Sequence, residues 1–320
     1  MNLAEHCRVK TNIRAVCHSL DAAVCAGVVL VMAASTSAQN LFVGSCDGGY
    51  ITGITTGGVK STFASGLGGP EGLAFDSAGD LFVAAETSSS IYKFTPGGVQ
   101  STFASGLSNP YGLAFDNTGN LFEADEGSGN IYKFTPGGAK STFASGLTQP
   151  AGLAFNSAGN LFVADQVSGN IYEFTPSGGK STFASGLDNP WGLAFNSAGN
   201  LFVANCNPDG SITEITTGGV QSTFASAVNS PNGLAFNNAG DLFVANGIGW
   251  SLGYVTEITT GGVQSTFASG LDNPVGLAFQ PVPEPSALAL LAVGVPALLA
   301  LLVRCRRKGI QTGGSAGADV

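Results

Sequence analysis

The chain repeats itself, and the repeat decides what it can fold into. Pro70, Pro110, Pro150, Pro190, Pro231 and Pro274 each open the pattern Pro-x-Gly-Leu-Ala-Phe, at spacings of 40, 40, 40, 41 and 43 residues. After PxGLAF come a polar turn, an LFVA-type run, a second turn, an IYKF-type run, a third turn and STFAS. A fixed period near 40 residues marks one supersecondary unit copied along the chain, each copy unable to bury its apolar surface alone. The four runs are rich in Phe, Val, Ile, Leu and Tyr and are separated by Gly, Asn, Asp, Ser and Pro, which predicts four strands joined by hairpins. They are apolar on both faces more than alternating, as suits a small sheet lying between two others. Such a unit is one blade of a β-propeller.

The count of runs predicts how the ring closes. First-strand runs begin near Leu73, Leu113, Leu153, Leu193, Leu234 and Leu277, and second-strand runs at Leu41, Leu81, Leu121, Leu161, Leu201 and Leu242. Third and fourth runs also occur six times each, so the array starts at a second strand and ends at a first. A blade made from 276–279 and the three strands of 41–64 closes the ring and leaves no free sheet edge. The expected fold is all-β: a six-bladed β-propeller of four-stranded blades over 39–280, closed by N- and C-terminal strands of one blade, with a C-terminal transmembrane helix beyond it.

The motif PxGLAF-x-x-x-GNLFVAD-x-x-x-x-IYKF resembles the NHL-type repeat and the related propellers of the gluconolactonase and streptogramin-lyase families, over about 240 residues. The resemblance implies the propeller and leaves the chemistry open, because one fold hosts many functions.

Both flanks read as addresses. Arg8, Lys10 and Arg14 precede a 13-residue apolar core at 22–34, and Thr36-Ser37-Ala38 offers a small-residue cleavage site, so 1–38 reads as a signal peptide. At the other end, Pro283-Glu284-Pro285 leads into an 18-residue apolar stretch at 286–303 and then the basic cluster Arg304, Arg306, Arg307 and Lys308. As a helix that stretch reaches ~27 Å, close to a bilayer core, with the basic cluster held cytoplasmic. The order Pro-Glu-Pro, apolar helix, arginine cluster at 281–308 resembles a PEP-CTERM sorting tail. That resemblance implies a Gram-negative envelope, anchoring in the inner membrane, and an exosortase-type enzyme that removes the tail, leaving the propeller at the cell surface or in the extracellular matrix. A polar extension, 309–320, follows.

Charge and residue usage then exclude classes of function. Residues 40–282 hold five lysines, no arginine and 17 acids, the wrong sign for a nucleic-acid partner. The two histidines are His6 and His18, inside the predicted signal peptide, so no imidazole base or metal ligand remains in the mature chain. The streptogramin-lyase resemblance implies a catalytic histidine that the propeller lacks. The gluconolactonase resemblance implies a divalent ion on carboxylates and an amide, in a motif context not recognisable here. Asp76, Asp80, Asp116 and Asp241 fall in turns where such residues bond their own backbone. No cofactor is called for, and Ca2+ is the ion that such carboxylates would suit. Cys46 and Cys206 sit at one position of blades two apart, too far for a disulfide.

Near-identical repeats are most informative where they differ. At the x of PxG the units carry Glu71, Tyr111, Ala151, Trp191, Asn232 and Val275; at the end of the second strand, Ser45, Ala85, Asp125, Asp165, Asn205 and Asn246. Antiparallel pairing brings both positions to one rim, and both length changes, at 206–211 and 246–254, fall beside it. Insertions gathered on one face mark a binding face. The expected rim site is Glu71, Tyr111, Asp125, Asp165, Trp191, Asn205, Asn246 and Trp250, where aromatics stack on sugar rings and polar groups meet hydroxyls. The reading is a non-catalytic envelope module binding a glycan or protein, with a metal-dependent lactonase or hydrolase as the alternative.

Overall fold

The computed structural model describes residues 39–282 apart from 208–209 and 248–251. The predicted signal peptide, the residues Pro283, Glu284, Pro285, Arg304, Arg306 and Arg307, the apolar span at 286–303 and Trp250 therefore lie outside the described residues. Among those described, no helix is long and apolar enough to cross a membrane.

Six antiparallel sheets of four strands each make up the ring. Blade 1 pairs Pro274–Phe279, Leu41–Ser45, Tyr50–Ile54 and Lys60–Ser65 in that order. Blades 2 to 6 are continuous, spanning 70–105, 110–144, 150–184, 190–226 and 231–272. The split blade is zipped by Leu41 opposite Phe279, Phe42 opposite Ala278 and Val43 opposite Leu277. Backbone bonds from Cys46 N to Asn273 O (3.1 Å) and from Gln280 N to Asn40 O (2.9 Å) extend the seam at its two ends.

Within a blade, burial falls from the axis outward. Every residue of the six second strands is buried, whereas the fourth strand Lys60–Ser65 is largely exposed. The outer strand is thus half-solvated rather than sandwiched, which explains its Lys, Gln, Ser and Thr. First strands begin at the proline, three residues before the apolar run, with an irregular register between Pro70 and Leu73 and at the equivalent places in blades 3 to 6. Proline is tolerated there because the first residue of a strand can do without a donor.

Two contacts repeat six times around the axis. Each second-strand Phe meets the fourth-strand Phe of its own blade and the first-strand Phe of the next, as Phe82 does with Phe103 and Phe115, both at 5.0 Å between centroids. The sixth such contact, Phe243 with Phe279, crosses the seam. Edge-to-face rings at this spacing add to the area they bury. The second contact is backbone on backbone. A Cβ placed on Gly72, Gly112, Gly152, Gly192, Gly233 or Gly276 would stand 2.0–2.1 Å from the carbonyl oxygen of the x residue in the next blade. Glycine is required at these positions for proximity, not for an unusual φ.

Asp76 and Asp116 bond their own turn backbone as the sequence predicts. Asp80 instead pairs with Lys93 at 2.7 Å and Asp241 accepts Thr260 N at 3.2 Å, because their carboxylates point across to the neighbouring strand and loop. Asp76 Oδ1 accepts the amides of Ala78 and Asp80 at 2.9 Å, and Gly79 takes φ 84°. Asp116 repeats the pattern, with Asn156, Asn196 and Asn237 in its place elsewhere. Cys46 and Cys206 are both free thiols.

One core position breaks the pattern. Where other blades have Val43, Val83, Val163, Val203 and Val244, blade 3 has Glu123, fully buried with neither carboxylate oxygen partnered. Burial raises its carboxyl well above the ordinary value, which favours the neutral acid in the folded chain.

Two predictions follow from packing. Gly152→Ala drives a methyl into Trp191 O and lowers stability by about 2 kcal/mol or more, whereas Gly53→Ala, whose Cβ meets nothing closer than 3.7 Å, is neutral or slightly stabilising; thermal melts compare them. Glu123→Val raises stability by roughly 1–3 kcal/mol. Because the folded carboxyl is raised above the unfolded value near 4.3, the unfolded chain binds fewer protons and stability falls as pH rises above that value. Paired melts at increasing pH should therefore show the advantage of the valine variant growing.

Candidate functional site

The bulge at Pro-x-Gly turns the six x residues toward the axis at one end of the ring. Glu71, Tyr111, Ala151, Asn232 and Val275 are buried there, and Trp191 remains partly exposed. Tyr111, Ala151 and Val275 form a small apolar cluster against which Trp191 and Cys46 pack. Trp191 meets Tyr111 edge to face at 5.2 Å, and its indole N–H donates to Asn189 Oδ1 at 3.1 Å. Behind these side chains lies an axial cavity of about 80 Å³, lined by Glu71, Tyr111, Asn232 and the ring of PxG glycines and leucines. That is room for a few waters and far below the ~300 Å³ of the smallest usual ligand pockets. A ligand larger than a few waters therefore cannot enter the axis at this end and can meet these side chains only on the rim.

The second-strand ends do different work. Asp125 and Asp165 are each 1% exposed, and their carboxylates staple two loops of the rim together. Asp125 accepts Ser108 N (2.7 Å) and Ser128 N (3.1 Å); Asp165 accepts Thr148 N (2.8 Å) and Ser168 N (3.2 Å). Asn205 donates to Ser211 Oγ and Thr213 Oγ1, and Asn246 to Val244 O and Thr256 Oγ1. The structure thus brings Glu71, Tyr111 and Trp191 together at the mouth and places these four in the walls beneath it.

The accessible groups are one residue further along, at Cys46, Glu86, Glu126, Gln166 and Cys206, all partly exposed. Each follows a second strand, and in two cases it touches the x residue of the next blade. Cys46 Sγ donates to Glu71 Oε1 at 2.9 Å, and Cys206 Sγ to Asn232 Oδ1 at 3.2 Å. Blade-to-blade comparison at this position, rather than at the one before it, is the signal that would have found them. The insertion in blade 6 lengthens its third and fourth strands to Leu252–Ile258 and Gln264–Asp272, carrying Asp272 to the Tyr50 hydroxyl of blade 1 at 3.2 Å.

Acid accumulates where blades 1 and 2 meet. Burial pushes the Glu71 carboxyl up to about 7; the bond from Cys46 opposes this, while the negative fields of Glu86, Glu126 and Asp47 add to it. Burial and then Glu71 push the Cys46 thiol far up, and burial pushes Cys206 up to about 11. Neither ion pair found among the described residues, Lys93 with Asp80 and Lys133 with Asp116, involves this group.

Comparison with known proteins adds an address and confirms the fold. The family model described as the PEP-CTERM protein-sorting motif matches residues 281–308, the boundaries read from the sequence. The chain therefore carries a sorting signal that implies export and a membrane-anchored stage before processing. No curated protein matches it. A chain of a nidogen/laminin complex superposes with a TM-score of 0.68 at 18% identity, covering 77% of this chain and 99% of that one. Virginiamycin B lyase from Staphylococcus aureus gives a TM-score of 0.57 at 17% identity, covering 72% and 84%. A putative gluconolactonase gives 0.55 at 17% identity, covering 61% and 77%. At such identities the likeness is one of fold: the chain is an exported six-bladed propeller with a PEP-CTERM tail.

Proposed function

We propose that the propeller is a non-catalytic binding module of the cell envelope or extracellular matrix, taking a glycan across its axial rim. The observation that carries this reading is Trp191. Its ring is held edge to face by Tyr111 and its only donor is already taken by Asn189, so its exposed part offers an apolar surface with no polar group left unpaired. Sugar rings present apolar faces to such surfaces while their hydroxyls seek hydrogen bonds. Gln166, partly exposed after the second strand of blade 4, holds there the position that Cys46 holds in blade 1. Glu86 and Glu126 add acceptors around the same mouth.

A hydrolase reading draws on Glu71, a buried carboxyl near neutrality, as a general base requires. Against it stand the position of both histidines ahead of the propeller and an axial cavity too small for a substrate. The superposable lyase and gluconolactonase folds lend it fold-level analogy alone.

The test is fluorescence titration of a Trp250→Phe chain, which leaves Trp191 as the reporter, with polysaccharide from the producing cell's own matrix. Binding should shift Trp191 emission, and Trp191→Ala should weaken affinity roughly tenfold or more, as for a buried aromatic anchor. Unchanged polysaccharide binding by Trp191→Ala removes the rim from consideration, and turnover of lactones by the wild-type chain favours the hydrolase.

A further inference from the structure

The rim is not six-fold in its chemistry. At the seam between blades 1 and 2 the loop residue Cys46, the x residue Glu71 and the next loop residue Glu86 place a thiol sulfur and two carboxylate oxygens within 4.8 Å of one another. Glu71 is 6% exposed, and its Oε2 is buried without any hydrogen-bond partner. Most buried polar groups in folded proteins are partnered, so this carboxylate oxygen keeps lone pairs free to take a ligand. Tyr111 Oη, lining the same axial cavity as Glu71, is likewise unpartnered.

We propose that Cys46, Glu71 and Glu86 form a binding site for one zinc-class divalent cation at the seam between blades 1 and 2. The ligand types choose the metal. Calcium and magnesium take oxygen ligands, whereas a thiolate beside carboxylates suits zinc and its first-row neighbours. Bonds of about 2.0–2.3 Å to each ligand set ligand atoms roughly 3.5 Å apart in a tetrahedron, which small side-chain rotations reach from the observed spacing. The 2.9 Å contact from Cys46 Sγ to Glu71 Oε1 is already inside that distance. Binding replaces the thiol proton, which leaves to solvent, by a sulfur–metal bond. Three protein ligands leave a fourth position, open at the mouth of the ring.

The site bridges blades as well. Cys46 follows the strand Leu41–Ser45 of the closing blade, whereas Glu71 and Glu86 belong to blade 2. A bound ion therefore ties the closing blade to its neighbour. The protein carries its own control: at the seam between blades 5 and 6 the equivalent residues are Cys206, Asn232 and Gly247. That seam has the thiol without the carboxylates.

The proposal stands apart from glycan binding and is read with no glycan present. Full-length chain in detergent, stripped by chelator, is titrated with Co2+. One equivalent should give a near-ultraviolet thiolate-to-cobalt charge-transfer band that Zn2+ abolishes by displacement. Zn2+ should also raise the melting temperature. Cys46→Ser should lose the band and the zinc-dependent rise, while Cys206→Ser keeps both. Glu86→Gln, a change at a partly exposed position that the fold tolerates, should weaken Co2+ affinity by more than about tenfold, the least that losing even an outer-shell partner costs. A band that survives Cys46→Ser, or no band at millimolar Co2+ in the wild-type chain, overturns the site, as does unchanged affinity in Glu86→Gln.

Discussion

The structure depends on how closely six strands can approach one axis. At each Pro-x-Gly the glycine lies so near the next blade's carbonyl that a single added carbon would fall about 2 Å from it. That approach sets the radius of the ring, and with it the number of blades that fit. It also lets each second-strand Phe reach the first-strand Phe of the next blade. The sixth contact of both kinds, Gly276 against Glu71 O and Phe243 against Phe279, is made by the C-terminal strand. Closure is therefore the same interaction as the other five, made between distant parts of the chain.

The same geometry creates the rim. A strand that bulges at its first residues turns the x side chain toward the axis, where six positions meet in too little space for six large residues. The chain fills it unequally. Tyr111 and Trp191 brace each other, Ala151 and Val275 fill the remaining space, and Glu71 and Asn232 each receive a thiol from the blade before. Function is left to the differences among units that are otherwise copies, which is where repeat proteins commonly carry it. The sorting motif at 281–308 follows the last strand of the ring in the sequence, so it takes no part in the ring's closure.

Periodicity made the architecture legible: blade number, strand order and the split blade all follow from where each run begins and ends. The polar turns were legible too, since Asp or Asn followed by Gly fixes its own local bonds. Side-chain direction at the strand ends was not. Asp125 and Asp165 look like free rim carboxylates in the sequence, yet Asp125 accepts two loop amides and Asp165 three, from positions up to 17 residues away. The residues beside them, Glu86 and Glu126, stay partly exposed because the strand has ended; Glu126 accepts the side-chain amide of Gln149 at 2.9 Å rather than loop backbone. Glu123 was visible as a break in LFVA, but its isolation became apparent only with the packing around it.

Closure is tested most directly by native-state hydrogen exchange on the paired amides of Leu41–Ser45 and Pro274–Phe279. If the split blade is held as the others are, these amides exchange with the same protection as Leu161–Asp165 and Pro150–Phe155 of blade 4, and they open only with the whole ring. Fast, local exchange confined to the two terminal strands, with blade 4 still protected, would show that the ring stands without them and would contradict the account.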